Sequence, residues 1–288
     1  MLVTPPATSM TVQEVADSLG VHYMTAYRYV RQGRLPATRQ GAEWRIRSTD
    51  VELLRNAPTP RRGAARAGGD RNALERRMLA GDAPGAWWLV ESHLGGGLDP
   101  SGVLTDLVVP ALHSIGDRWT RDEVSIAEEH RATLVAQRVV GRLGLQFGRR
   151  GKDRGTVALA APAGDLHTLP VSIAADLLRW RGFDVLELGG DLPAEALGEA
   201  VARERRLVAV GIVSTTRGLD DDVASSTRSV RAAAPGVPLF AGGGAILSGT
   251  QARELGADEW TGAGANAAAA TVERIVASRG SRSRRRVA

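Results

Sequence analysis

Residues Thr156 to Pro170, TVALAAPAGDLHTLP, decide the fold. A short apolar run, TVALAAP, opens the stretch, and a loop carrying Asp165 and His167 follows. Runs of the same kind recur downstream as FDVLELG, LVAVGIVS, VPLFAGG and ADEWTG, with amphipathic helical patterns between them. That alternation reads as βαβ units around a parallel sheet buried on both faces. Five strands suit a doubly wound α/β sheet of the flavodoxin type, in which ligands bind at the C-terminal ends of the strands. The loop after the first strand therefore stands where a ligand is expected. Asp165 and His167 are two residues apart, so an extended loop turns them to the same side. A carboxylate there can accept the imidazole Nδ1–H and leave Nε2 free for a metal. Taken alone, an Asp-x-His pair is more often a solvated loop histidine.

Upstream the texture is helical. From about Arg71 to Gly148, apolar residues recur at three- and four-residue spacing in ALERRMLAG, AWWLVESHL, VLTDLVVPALHSIGDRW and IAEEHRATLVAQRVVGRLG. Four helices with short connections predict a bundle. Ser125-Ile126-Ala127-Glu128 fits a capping box that starts the last helix, so the preceding helix ends at Trp119. Glu129 and His130 then lie one turn into the last helix, and Trp119, Glu129 and His130 gather at one end of the bundle. In an arbitrary bundle the same three would serve as core, solvated surface and polar contact. Trp87 and Trp88 point about 100° apart on a helix, so one belongs to the core and the other to a cavity or the surface.

Residues 1–9, MLVTPPATS, carry no pattern and are expected to lack structure. A patterned block runs from Thr11 to Leu54. Thr11 and Glu14 fit a capping box, and Val12, Val15, Ala16 and Leu19 make the apolar face of a short helix. Gly20 turns the chain, and a second helix runs from Tyr23 to Gln32 with Gly33 as its left-handed stop. Leu35–Arg39, a turn at Gln40-Gly41-Ala42 and Glu43–Arg47 read as a β-hairpin, and Asp50–Leu54 begins a closing helix. Two short helices joined by a turn and followed by a hairpin make a winged helix-turn-helix. APTPRRGAARAGGD, next in the chain, has the composition of an extended linker.

Composition bounds the partners. The 288 residues carry a net charge of +5, and Lys152 is the single lysine among 37 basic residues. This balance favours a polyanionic partner, although five arginines fall between Arg55 and Arg71 and five more between Arg279 and Arg286. The absence of cysteine excludes disulfides and thiolate metal sites. No leader pattern and no membrane-length apolar run stand out, so a cytoplasmic protein without a membrane partner is expected. No nucleophile–His–acid arrangement, phosphate loop or zinc cluster is visible, so an enzyme is not expected.

The block from Thr11 to Leu54, with VHYMTAYRYVRQGRLPA and the WRI of its wing, resembles the excisionase/MerR-like winged helix-turn-helix family. That resemblance implies that Tyr23, Met24, Thr25 and Arg28 enter the major groove, that Arg39, Arg45 and Arg47 sit on phosphates, and that Tyr27, Tyr29 and Val30 pack. From about 71 to 278 the chain resembles the CarH/LitR-type cobalamin-dependent photoreceptor regulators. The resemblance is carried by Trp119, nine residues, then Glu129-His130; by Asp165-x-His167; by Ser214-Thr215-Thr216 after LVAVGIV; and by Gly242-Gly243-Gly244 after VPLFA. It implies that His167 is the lower axial ligand of cobalt, with Asp165 and Leu166 beside it. It also implies that Ser214, Thr216, Gly242 and Gly243 border the cofactor's displaced tail, and that Trp119, Glu129 and His130 surround the adenosyl face.

Pattern and resemblance together divide the chain into a winged helix-turn-helix over residues 1–55, a linker over 56–70, a four-helix bundle cap over 71–150 and a Rossmann-like cobalamin-binding domain over 151–279, and the Arg-rich tail over 280–288 is expected to lack structure. The resemblance implies a transcription regulator, a repressor, that binds a double-stranded DNA operator as a dimer or tetramer and releases it when light breaks the cobalt–carbon bond of adenosylcobalamin. The alternatives are a light-independent cobalamin sensor, a corrinoid carrier for methyl transfer and a cofactor-free DNA-binding protein. Two positions depart from the family. Pro170 replaces the glycine of Asp-x-His-x-x-Gly and suits the first turn of a helix. Thr120 replaces a histidine that follows the Trp, which leaves room for a second flat chromophore such as a bilin.

Overall fold

The computed structural model describes residues 9–19, 23–31, 35–41, 43–56, 64–147, 154–262, 264 and 266–287. The chain divides into two units, Met1–Arg66 and Ala67–Ala288.

In the first unit, β1 (Ser9–Met10) leads into α1 (Val12–Leu19) and α2 (Tyr23–Arg31), then the hairpin β2 (Ala37–Gln40) and β3 (Glu43–Arg47), and α3 (Ser48–Asn56). The Thr11–Glu14 capping box is present, with the Thr11 N–H donating to Glu14 Oε2 at 2.7 Å and the Glu14 N–H to Thr11 Oγ1 at 3.2 Å. Gly41 takes φ +62° at the hairpin turn, a conformation open to glycine without strain. Val12, Val15, Ala16, Ala26, Val30, Leu35, Ile46 and Val51 form the core. One expectation is corrected here: Ser9, expected to lack structure, pairs with Arg47 as β1 lies antiparallel to β3. Gly20 and Gly33 lie outside the described residues.

α4 (Ala64–Ala80) comes next, so helix replaces the C-terminal part of the expected 56–70 linker. α5 (Ala83–Gly95) follows, and then α6 (Pro100–Val103) runs through a π turn at Leu104–Val108 into α7 (Val109–Trp119). Pro110 has no N–H to give a regular helix, and the widened turn just before it absorbs that missing donor. α8 (Ile126–Gly144) completes the bundle. The α/β part comprises β4 (Thr156–Ala160), α9 (Leu169–Trp180), β5 (Asp184–Glu187), α10 (Ala194–Arg203), β6 (Leu207–Val213), α11 (Asp220–Ala233), β7 (Leu239–Gly242), α12 (Gly249–Glu254), β8 (Glu259–Trp260) and α13 (Ala267–Val287). The strands are parallel in the order β5-β4-β6-β7-β8, the flavodoxin order, with its switch point between β4 and β6. α13 runs through the basic segment to Val287, so the expectation of an unstructured tail over 280–288 is also corrected.

Alternation along the strands feeds two cores. Ala158, Ala160, Val210, Ile212, Leu239 and Ala241 pack with residues of α10, α11 and α12. Val157, Leu159, Ala209 and Phe240 join the opposite cluster, which also holds Val171 and Leu178 of α9, Val272 of α13, and Leu74, Val90, Leu104, Val139 and Leu143 of the bundle. Phe147 meets Trp180 edge to face at 5.9 Å inside it. The bundle and the sheet, expected as separate domains at 71–150 and 151–279, therefore share one hydrophobic core. Trp87 is buried in that core under the guanidinium of Arg142, 4.1 Å away, while Trp88 is exposed.

Candidate functional site

The loop after β4 meets the loop after β6 at the switch point, and Asp165 is the joint. Its side chain is fully buried at 0% exposure. Oδ2 accepts the Thr215 N–H at 2.6 Å and the Thr216 N–H at 3.1 Å. Oδ1 accepts the Thr216 hydroxyl at 3.0 Å, and the Thr215 hydroxyl reaches the carboxylate at 3.2 Å. His167 completes the set, its Nδ1 standing 2.8 Å and its backbone N–H 3.2 Å from Oδ1. Burial alone would push this carboxyl up. The donors from Thr215, His167 and Thr216 outweigh burial and hold it down at about 2. A carboxylate that is charged and saturated with donors fixes the imidazole with Nδ1 toward Asp165, which leaves Nε2 as the ring's open position. The His167 side chain is 62% exposed.

Ser214 is buried, and its N–H donates to Gly242 O at 2.8 Å. Gly242 and Gly243 are demanded by the chain itself. A Cβ at Gly242 would stand 2.2 Å from Thr261 Oγ1, and one at Gly243, where φ is +100°, would stand 2.2 Å from Ser214 O. At both positions the close approach that requires glycine is made within the protein itself. Open positions of this rim include Gly189, Gly244 and Gly262, where a Cβ would meet nothing within 4 Å. Leu166 and Leu247 are exposed on the neighbouring loops. Pro170 lies in the first turn of α9, where its missing N–H costs no hydrogen bond.

At the end of the bundle, α7 stops at Trp119, with Thr120 as its C-cap. Asp122 takes a left-handed φ of 57° in the turn. The Ser125 capping box then starts α8, and the Ser125 N–H, donating to Glu128 at 2.9 Å, holds that carboxyl below the usual range. A hollow of about 700 Å³ is lined by Trp119, Thr120, Val124, Ile126 and Glu128 among others. Glu129 and His130 are not among its lining residues. Glu128 reaches back to the cap, and Glu129, about 100° further round the helix, accepts the Thr133 hydroxyl at 2.8 Å and pairs with His130 Nδ1 at 3.1 Å. The structure thus brings Trp119 to Glu128, and couples Glu129 to His130 beside them.

In the first unit, Tyr23 and Met24 are exposed at the start of α2, and Tyr23 stacks on Tyr27 with centroids 6.3 Å apart. Tyr27 and Tyr29 pack partly against the core that buries Val30. Thr25 and Arg28 lie on α2, with side chains outside the description. Arg39 is exposed on β2. Arg45 pairs with Glu43 at 3.0 Å, and Arg47 with Asp50 at 2.9 Å. Among the described residues, no helix is long and apolar enough to cross a membrane.

Thr215 is the donor nearest to Asp165, and the loop after β5, where Gly190 and Asp191 touch the histidine loop, carries no motif in the sequence. The Ser-Thr-Thr run after β6 was visible, but nothing in it says which hydroxyl points where.

Comparison with known proteins fits this geometry. Residues 9–57 match a model described as a helix-turn-helix domain, and residues 70–143 match a B12 binding domain. The HTH-type transcriptional repressor CarH of Myxococcus xanthus is 33% identical over 154 residues, covering 52% of this chain and 50% of that protein. Monomethylamine corrinoid protein 1 of Methanosarcina acetivorans is 26% identical over 195 residues, covering 65% of this chain and 87% of that protein. The solved structure of the monomethylamine corrinoid protein of Methanosarcina barkeri superposes with a TM-score of 0.56 at 21% identity, over 69% of this chain and 95% of that one. That likeness shows the shared corrinoid-protein fold. The class is therefore a helix-turn-helix protein joined to a B12-binding domain. The chain covers about half the length of the CarH repressor it is similar to.

Proposed function

We propose that this chain is a cobalamin-dependent, light-responsive, DNA-binding transcription regulator, acting as a repressor, in which the state of the cofactor controls assembly and operator binding. The observation that carries the cobalamin part is the Asp165–His167 couple, clamped by Thr215 and Thr216 at the switch point of the sheet. One imidazole supplies one ligand, so the metal it suits is one that brings the rest of its coordination sphere with it, as a corrin does. The open rim at Gly189, Gly244 and Gly262 leaves room for such a flat group, and exposed Leu166 and Leu247 offer it apolar contact.

Adenosylcobalamin, when bound, supplies a cobalt–carbon bond that light can break. The remaining work belongs to the chain. His167 offers Nε2 to cobalt, and Asp165 holds the proton on Nδ1. Ser214, Thr216, Gly242 and Gly243 border the site on the sheet side. Trp119 faces the adenosyl side from the hollow it shares with Glu128, and the Glu129–His130 pair stands beside that hollow. The exposed Tyr23 and Met24, with Thr25 and Arg28 of the same helix, read base edges, and Arg39, Arg45 and Arg47 contact phosphates. A single winged helix covers few base pairs, so operator affinity comes from a homo-oligomer, a dimer or tetramer.

The experiment is one sample read three ways. Full-length protein loaded with adenosylcobalamin is passed over a size-exclusion column, scanned for absorbance and titrated with operator DNA, before and after green light. Loss of assembly and of DNA binding on illumination is the expected result. Equal DNA binding in both states would favour light-independent sensing. A red band absent from free cobalamin would reveal a second chromophore, a bilin, on the side where Thr120 stands.

A corrinoid methyl carrier is the second reading, favoured by the 87% coverage of the Methanosarcina acetivorans protein. It leaves the N-terminal helix-turn-helix without a task. Methyl transfer to or from the bound corrinoid in a reconstituted assay would revive it.

A further inference from the structure

The histidine loop is held from two directions, and only one of them acts through the Asp165 side chain. The other is the loop after β5. There the Asp191 N–H donates to Asp165 O at 2.8 Å, and Asp191 Oδ1 accepts the Gly164 N–H at 2.8 Å. One residue therefore grips the backbone on both sides of the 164–165 peptide. Flanking bonds prolong the grip, because the Ala161 N–H donates to Gly189 O at 2.8 Å and the Leu192 N–H to Ala161 O at 3.2 Å. Gly190 makes the approach possible: a Cβ there would stand 2.8 Å from Asp165 O.

Asp191 does this from a left-handed backbone, φ 53°, one of two positive-φ positions among the described residues occupied by a residue other than glycine. Such a conformation is strained for most side chains and tolerable for aspartate. Glycine would fit it without strain, but glycine has no carboxylate for the Gly164 N–H.

We infer that Asp191 is a positioning residue for His167: it fixes the backbone of Asp165, so that the carboxylate can fix the imidazole. The inference rests on the cobalamin reading above, with His167 as the cobalt ligand. Its test reads which nitrogen sits on cobalt. The full-length chain is labelled with ¹⁵N and loaded with unlabelled cob(II)alamin. In the electron paramagnetic resonance spectrum, a nitrogen doublet reports His167, and a triplet reports the cofactor's own dimethylbenzimidazole.

Wild type and Asp191→Asn, which keeps an acceptor oxygen, are expected to give the doublet. Asp191→Ala and Asp191→Gly are expected to add a triplet component and to raise the dissociation constant for hydroxocobalamin about 10-fold, the low end for outer-shell partners of a metal ligand. Asp191→Gly relieves the backbone strain, so it guards against a mere folding defect: its thermal midpoint is expected at or above that of Asp191→Ala. A full doublet with wild-type affinity in both Asp191→Ala and Asp191→Gly would overturn the inference, as would an Asp191→Asn protein as defective as Asp191→Gly. A wild-type protein that shows only the triplet would overturn the cobalamin reading beneath it.

Discussion

The two ends of the candidate site are built differently. At the sheet, a fully buried carboxylate takes backbone N–H groups from three residues and hydroxyls from two threonines, and a second loop braces the backbone behind it. At the bundle, Trp119 is 46% exposed and His130 73%, and the bonds of Glu129 and His130 stay within their own helix. One end has its geometry fixed before any ligand arrives. The other keeps a roomy hollow and few cross-links. A metal ligand gains from being preorganised, whereas a sensing surface has to respond to what occupies it.

The strongest challenge to this contrast is Asp165→Ala. It strands the donors of Thr215, Thr216 and His167 in a buried place, so a loss of about 3 kcal/mol in urea unfolding and a 10- to 100-fold weaker affinity for cobalamin are expected. Gly243→Ala follows, at about 2–3 kcal/mol, because its Cβ meets Ser214 O at a backbone angle hostile to alanine. Acid probes the same end without mutation. The folded-state pKa of Asp165, about 2, lies below its value in the unfolded chain, so its contribution is complete above about pH 4 and fades as pH falls toward 2. About 1–2 kcal/mol of wild-type stability should vanish over that window and be absent from the curve of Asp165→Asn. Trp119→Ala is the smallest: within about 0.5 kcal/mol in stability, but with the preference for adenosylcobalamin over hydroxocobalamin reduced in direct binding assays. A large stability loss there would erase the contrast.

How much of this was legible depended on whether a feature is local. The five apolar runs became the five strands, and the Ser125 box ended α7 at Trp119, because both signals lie within a few residues. The Asp-x-His spacing likewise placed an acceptor beside the imidazole. Ser9 was missed because its partner, Arg47, lies far along the chain, and two-residue strands carry no pattern of their own. The Arg-rich end of α13 has the charge run of an unstructured tail, yet it is helical, because arginine is a good helix former. Asp191 was invisible for a third reason: its role lies in a φ angle and two backbone contacts, and neither leaves a mark in composition. The glycines show the opposite error. Gly242 and Gly243 are expected to border a ligand, but the neighbours that exclude a side chain there are Thr261 and Ser214.

The shared core of bundle and sheet carries a calorimetric consequence. Phe147, Val157, Leu178 and Leu143 lie in one contiguous apolar cluster, so the bundle cannot melt and leave the sheet's share of that cluster dry. The heat-capacity trace of the whole chain should resolve into two cooperative transitions, one for the winged helix-turn-helix and one for everything after it, even though three kinds of architecture are strung along the sequence.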